Sequence, residues 1–240
     1  MVQTAWADDG VTAKPAKGCV VLLHGLGRTH RSMASMARYL ESAGYRTANI
    51  DYPSTEHPIE TLAASAVAQG IAACRSDAPG APIHFVTHSL GGILVRYYLG
   101  VNEVTELGRV VMLSPPNQGS EAAEALRDLP FYQWFNGPAG QQLGVGKDSL
   151  PRSLGPVNFP LGVVMGNESS VFDFWLDDMF PGDNDGKVSV ARAKVDGMAD
   201  FIVLPHTHTF IMQKEDVMDQ VLFFLRNGRF HHRTRSEGAE

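Results

Sequence analysis

Between residues 83 and 92 the chain reads Ile83-His84-Phe85-Val86-Thr87-His88-Ser89-Leu90-Gly91-Gly92. A largely apolar run of strand length stops at a serine, two glycines follow, and an apolar helical pattern occupies 93–99. A strand that passes into a helix within a couple of residues must turn sharply, and small neighbours let the two elements approach without a clash. Gly91 and Gly92 serve that purpose after the serine, and Thr87 before it. The usual residue at the position of Thr87 is glycine, so its β-branch adds crowding there. A strand followed directly by its crossover helix points to a parallel sheet rather than a hairpin.

The same alternation recurs along the chain. Residues 19–23, 46–50, 110–113, 161–165 and 201–204 read as further strands, the first a continuous apolar run closed by His24-Gly25. Such runs suit strands buried on both faces. Residues 32–43 read as a helix, with Met33, Met36, Ala37 and Leu40 at helical spacing and Gly44 as its stop. Residues 59–74 and 215–226 follow suit, the last with Val217, Val221 and Phe224 facing inward. The pattern predicts an α/β fold: a mostly parallel sheet of about six strands with helices on both faces. In 240 residues no Pro-, Ser- or charge-rich linker interrupts the middle, so residues 18–226 read as one domain. Residues 1–17 read as a loose arm and 227–240 as a polar tail. Residues 117–160 are mixed, with an amphipathic piece near 120–128, and read as a small cap insertion.

Four segments carry chemistry. The serine turn is the arrangement of a nucleophile elbow, with the amide of Leu90 opening a helix where negative charge would develop. Leu23-His24-Gly25-Leu26-Gly27 ends the first strand, and its glycines allow a bend that presents the amide of Leu26; His24 reads as a turn-stabilising residue. Asp183-Asn184-Asp185-Gly186-Lys187-Val188 follows the strand at 161–165, and His206-Thr207-His208 follows the last strand. A hydrolytic serine needs a base, and the base needs an acid that fixes its tautomer. The order serine, aspartate, histidine provides both. Asp185 is favoured over Asp183 because Gly186 and a resumed apolar run follow it, and His208 over His206 because it lies further into the loop. Asp183, Asp185, His206 and His208 also make a possible O/N metal set, but that reading leaves the serine elbow without a purpose.

Taken together these segments resemble the α/β-hydrolase superfamily, in particular compact bacterial lipases and esterases, over roughly residues 18–226. The resemblance implies a serine ester hydrolase with Ser89 as nucleophile, Asp185 as acid, His208 as base and the amides of Leu26 and Leu90 as oxyanion hole. It implies no cofactor and no metal, and a small-molecule ester or lipid-like substrate. The absence of strands before residue 18 resembles the minimal members of the family. Other acyl enzymes on the same triad (thioesterase, amidase, acyltransferase) are the alternative, and a non-catalytic binding module on this fold is the reading from another class. The aromatic stretch at 129–135 falls where this family inserts its cap, so Phe131 and Trp134 are candidate acyl-pocket residues; a second aromatic run occupies 171–176. In the expected strand order the strands beside Cys19 and Cys74 are neighbours, which leaves both two buried thiols and a disulfide open.

Composition removes other classes. Apolar residues make up 44% and charged residues 19%, with a net charge of −6, a balance suited to a globular core. There is no basic face for nucleic acid and no basic cluster near the motifs, so charged-substrate chemistry is not expected. No stretch reaches the ~18 apolar residues of a membrane span. Compartment is open: cytoplasmic is the default, while Ala5-Trp6-Ala7 before Asp8 has the shape of an export cleavage site.

Overall fold

The computed structural model describes residues 17–147, 149–169 and 182–232, and only the backbone of 130–135. Six strands form one sheet: β1 (Cys19–Leu23), β2 (Arg46–Ile50), β3 (Ile83–His88), β4 (Leu107–Leu113), β5 (Leu161–Gly166) and β6 (Asp200–Leu204). Their order is β2-β1-β3-β4-β5-β6, and every pairing is parallel. α1 (Ala34–Ser42) follows β1. α2 (Ile59–Leu62) continues through a π-helical turn into α3 (Ala68–Asp77), and α4 (Leu90–Val101) follows β3. Between β4 and β5 lie α5 (Glu121–Leu126), α6 (Pro130–Gln141) and α7 (Leu150–Ser153). α8 (Val190–Ala193) precedes β6, and α9 (Glu215–Asn227) follows it.

The side chains of β1 show how the sheet is covered. Val20 and Leu22 pack in one apolar cluster with Met36 and Leu40 of α1 and Val221 and Phe224 of α9. Cys19, Val21 and Leu23 pack in the other with Ile59, Leu62, Ile71, Ile93 and Leu94. Each fully buried Val or Leu contributes roughly 1.5–3 kcal/mol, which is why a run without a polar residue is stable here.

Gly70 sets how closely α3 approaches: a Cβ there would stand 2.3 Å from Val21 Cγ1. Cys74 lies one helical turn further on the same face, and Cys19 points to the same side of β1 as Val21. The two sulfurs are bonded, with Cα atoms 5.5 Å apart.

Some boundaries differ from the sequence reading. β4 starts at Leu107, because Gly108 lacks the side chain that would strike His84. The residues just after 227, expected to be a polar tail, are packed. Gly228 closes α9 with φ 74°; Phe230 then turns back, is buried against Phe224 with ring centroids 4.9 Å apart, and donates its amide to Asp200. Of the proposed arm, residues 1–16 lie outside the described residues, as does the aromatic run at 171–176. No described helix is long and apolar enough to cross a membrane. Because all strands run the same way, the loops after β1, β3, β4 and β6 emerge at one edge of the sheet, where ligands bind in open α/β folds.

Candidate active site

Ser89 sits between β3 and α4 at φ 51°, ψ −118°, a conformation that costs a non-glycine residue of order 1–3 kcal/mol. Its amide donates to Leu113 O (2.9 Å) and its carbonyl accepts from the amide of Gly92 (3.0 Å), which pins the turn. A Cβ on Gly91 would stand 2.7 Å from Leu23 O and 2.9 Å from His24 O, so the helix can start only because that atom is missing. Thr87 is fully buried, and a Cβ on Gly92 would stand 3.3 Å from its Oγ1. The crowding expected from the β-branch of Thr87 is therefore absorbed by Gly92. Leu90 opens α4, whose first amides lack intrahelical acceptors and carry the positive end of the helix dipole.

The loop after β1 is held as a tight turn around Leu26. The amide of Arg28 donates to Gly25 O (3.2 Å) and that of Gly27 to Ser54 Oγ (3.0 Å). His24 is fully buried and stacked on Tyr52, with ring centroids 4.0 Å apart. Its Nδ1 donates to Gly25 O (2.9 Å), and its Nε2 accepts the Tyr52 amide (3.4 Å). Burial holds its pKa below the ordinary histidine value. It is a neutral brace of the turn, the role its position in the sequence suggests.

Asp185 is fully buried. Its Oδ1 accepts the amides of Lys187 (3.1 Å) and Val188 (3.0 Å), the Asx turn that Gly186 makes possible. Its Oδ2 accepts from His208 Nδ1 at 2.8 Å. A carboxylate oxygen here can only accept, so Nδ1 carries the hydrogen and Nε2 of His208 keeps its lone pair. The alternatives lie elsewhere: Asp183 is exposed, and His206 pairs with Asp216 at 2.8 Å. The four residues do not converge on one point, and among the described residues no cluster of three or more His, Cys, Asp or Glu side chains is arranged around a metal position.

Ser89 and His208 line the same cavity, of about 310 Å³. Leu26, Pro116, Ala122, Ala123, Leu126, Leu143 and Val188 supply its apolar wall. α5 is bolted to the Asp185 loop: Ser120 Oγ donates to Lys187 O (2.7 Å), and buried Glu121 accepts from Ser189 Oγ (2.7 Å) and Arg192 Nε (2.6 Å). α6 is kinked at Gly137, where a Cβ would overlap Thr55 O, and the Gln142 side chain accepts the Ile59 amide that opens α2 (2.7 Å). Phe131 and Trp134 lie on α6, but their side chains are outside the described part of the structure.

Three contributors were not singled out in the sequence. His88 is buried beside Ser89 and the loop that carries His208: its Nε2 donates to His208 O (2.9 Å), and its ring lies 5.0 Å from that of His208. Burial first, and then proximity to His208, push its pKa well below the ordinary value. Arg28 and Lys187 also line the cavity. Each is two residues from a motif residue, Leu26 and Asp185; the sequence reading looked for a basic cluster near the motifs and did not weigh these two single cations. The two cations are far apart in sequence and line one cavity only because both loops leave the same sheet edge.

The alpha/beta hydrolase family model matches residues 20–227, and the chain belongs to that family. No curated protein matches it in sequence. Among solved structures it is similar to the mature form of the Bacillus licheniformis lipase BlEst2, at 21% identity over 88% of this chain and 93% of that one, with a TM-score of 0.71. The phospholipase PlaB from Legionella pneumophila is 18% identical over 88% of this chain and 60% of its own, with a TM-score of 0.70. The metagenomic carboxyl esterase MGS0156 is 19% identical over 81% of this chain and 65% of its own, with a TM-score of 0.60. At these identities the likeness establishes the fold.

Proposed function

We propose that this hydrolase is a serine carboxylic-ester hydrolase that forms an acyl-enzyme on Ser89. The reading rests chiefly on the 2.8 Å hydrogen bond between His208 Nδ1 and buried Asp185, in a cavity shared with an elbow serine. Ser89 Oγ attacks the ester carbonyl as His208 Nε2 takes its proton. Asp185 holds the tautomer and stabilises the imidazolium. The amides of Leu26 and Leu90 bind the oxyanion, a contribution of about 3–4 kcal/mol per donor at comparable sites. His208 then protonates the leaving alcohol, and a water activated by the same imidazole releases the acid. Ester-cleaving relatives of similar fold, a lipase and a carboxyl esterase, agree with this chemistry. The cavity is near the lower end of ligand pockets, ~300 Å³, and about half of its lining residues are apolar. Short to medium acyl chains are the expected substrates.

A fluorophosphonate probe tests the nucleophile, because it labels only an activated serine. Labelling of the wild type and none of Ser89→Ala is expected. His208→Ala and Asp185→Asn should each lower kcat on p-nitrophenyl butyrate by roughly four orders of magnitude, and His206→Ala and Asp183→Asn by much less. The reverse ranking would move the roles to the neighbouring residues. Trp134→Ala should change chain-length selectivity more than acetate hydrolysis; a flat profile in both proteins would remove Trp134 from the acyl pocket.

A further inference from the structure

We propose that the Ser89 cavity selects esters that carry a second, anionic oxygen group, carboxylate or phosphodiester, and that Arg28 binds that group. The inference rests on the ester-hydrolase reading and adds the substrate class. Arg28 is half-buried on the cavity wall. Among the described residues its guanidinium makes one hydrogen bond, from Nη2 to Thr209 O (3.2 Å), and its carbon stands 5.9 Å from the centre of the Phe210 ring. A guanidinium has five N–H donors in a rigid fork suited to two oxygens of one anion, and most of these donors are uncommitted here.

No carboxylate lines this cavity among the described residues. Of those nearest to it along the chain, Asp128 is exposed to solvent and the other three are already engaged. Asp185 is held by His208 and two amides, Glu121 by Ser189 and Arg192, and Glu124 by the amides of Val145 and Gly146 and by Arg127. A half-buried cation with no counter-charge among the described residues has lost part of its hydration, and charge-assisted hydrogen bonds to an entering anion offset that loss. Arg28 also borders a larger open depression, of about 640 Å³, but Asp51 lines that space. The anion therefore belongs on the Ser89 side. An anionic oxygen group held there lies in the same small cavity as the reacting serine, so substrate binding and acyl transfer use one site.

The test compares matched esters. p-Nitrophenyl hydrogen glutarate against p-nitrophenyl pentanoate places the charge on the acyl side; dibutanoyl phosphatidylglycerol against tributanoylglycerol places it on the alcohol side. The wild type should favour the charged member of at least one pair by tenfold or more in kcat/KM, mostly through KM. Arg28→Gln should abolish that ratio, whatever common factor the lost Thr209 bond removes from both substrates, and Arg28→Lys should restore part of it. Which pair responds identifies the side that carries the anion. No preference in either pair, or a ratio that survives Arg28→Gln, overturns the proposal while leaving the hydrolase reading intact. A binding readout separates the two the other way. Monomethyl glutarate titrated into Ser89→Ala should bind at least tenfold more tightly than into Ser89→Ala/Arg28→Gln, even if the wild type were to hydrolyse no ester; equal binding overturns the anion site.

Discussion

Removing the Cys19–Cys74 bridge should cost about 4 kcal/mol of stability and little activity. The bridge closes a loop of sequence separation 55. Applied to about 55 residues, the loop-closure relation gives about −14 cal/mol/K for the unfolded chain, or about 4 kcal/mol at 25 °C. Both cysteines are buried, at 1% and 0% exposure, so Cys19→Ala/Cys74→Ala also loses some packing. For a chain of this size 1 kcal/mol corresponds to roughly 2–4 °C, and the double variant should melt about 8–16 °C lower. Cys19 stands at the far end of β1, roughly 13 Å of strand from Leu23 and the loop that bears Leu26. Ester turnover at 25 °C should therefore change less than twofold. Urea melts of both proteins without reductant, with thiol titration of the unfolded wild type after oxidative expression, check the reasoning. Two free thiols, or a double variant within 1 kcal/mol of the wild type, would refute it.

Gly91→Ala places a Cβ 2.7 Å from Leu23 O and 2.9 Å from His24 O; it should cost about 1–3 kcal/mol and lower kcat, since the displaced atoms carry the Leu26 loop, and unchanged kinetics would show that the loop does not depend on this contact. His84 is buried and accepts the Arg109 amide through Nδ1 at 2.9 Å; burial first, and then the Arg109 charge, push its pKa down to about 4. The unfolded state, with a pKa near 6.5, binds the proton first, so stability should fall by roughly 3 kcal/mol from this group as pH drops from about 6.5 to 4, and His84→Asn should flatten that slope in urea melts at several pH values. Thr87 Oγ1 is buried without a hydrogen-bond partner among the described residues; Thr87→Val should raise stability by about 1 kcal/mol, and a loss instead would mean that the hydroxyl is satisfied.

Elements with local causes were legible in the sequence. The strands at 19–23 and 46–50 match the structure at both ends, because an unbroken apolar run and a two-residue alternation are decided by nearest neighbours. The turn at Ser89 was legible for the same reason: helix and strand must meet within one residue, and Gly91 and Gly92 record it. The pairing of Asp185 with His208, rather than with His206, depends on where two loops 23 residues apart come to rest, and chain order only narrowed the choice. The fate of the cysteines was open in the sequence because it depends on how closely α3 lies against β1. Gly70 decides that, and a lone glycine in a helix gives no sign of what it faces. Arg28 and Lys187 were missed because charge was sought along the chain, whereas a parallel sheet gathers it across loops.

The buried histidine before the serine shows how those loops act as one unit. His88 follows Thr87 at the end of β3, so the strand fixes its backbone together with that of Ser89. Its ring reaches the His208 loop through Nε2 and His208 O. A Cβ on Gly25 would stand 2.7 Å from its Nδ1 and 3.2 Å from the Cβ of Ser89. One side chain thus touches the strand that aims the serine, the turn that presents Leu26 and the loop that carries His208. A carbonyl oxygen offers no proton, so Nε2 of His88 must hold its hydrogen to keep the contact; burial keeps the ring neutral, and neutrality makes that assignment stable. A lysine or arginine there would bring a charge that no described carboxylate is positioned to meet, and an apolar ring would leave the His208 carbonyl without its donor. The site needs a flat, neutral donor at this point, and among the side chains histidine in its Nε2–H form supplies one when its pKa is pushed down, as it is here.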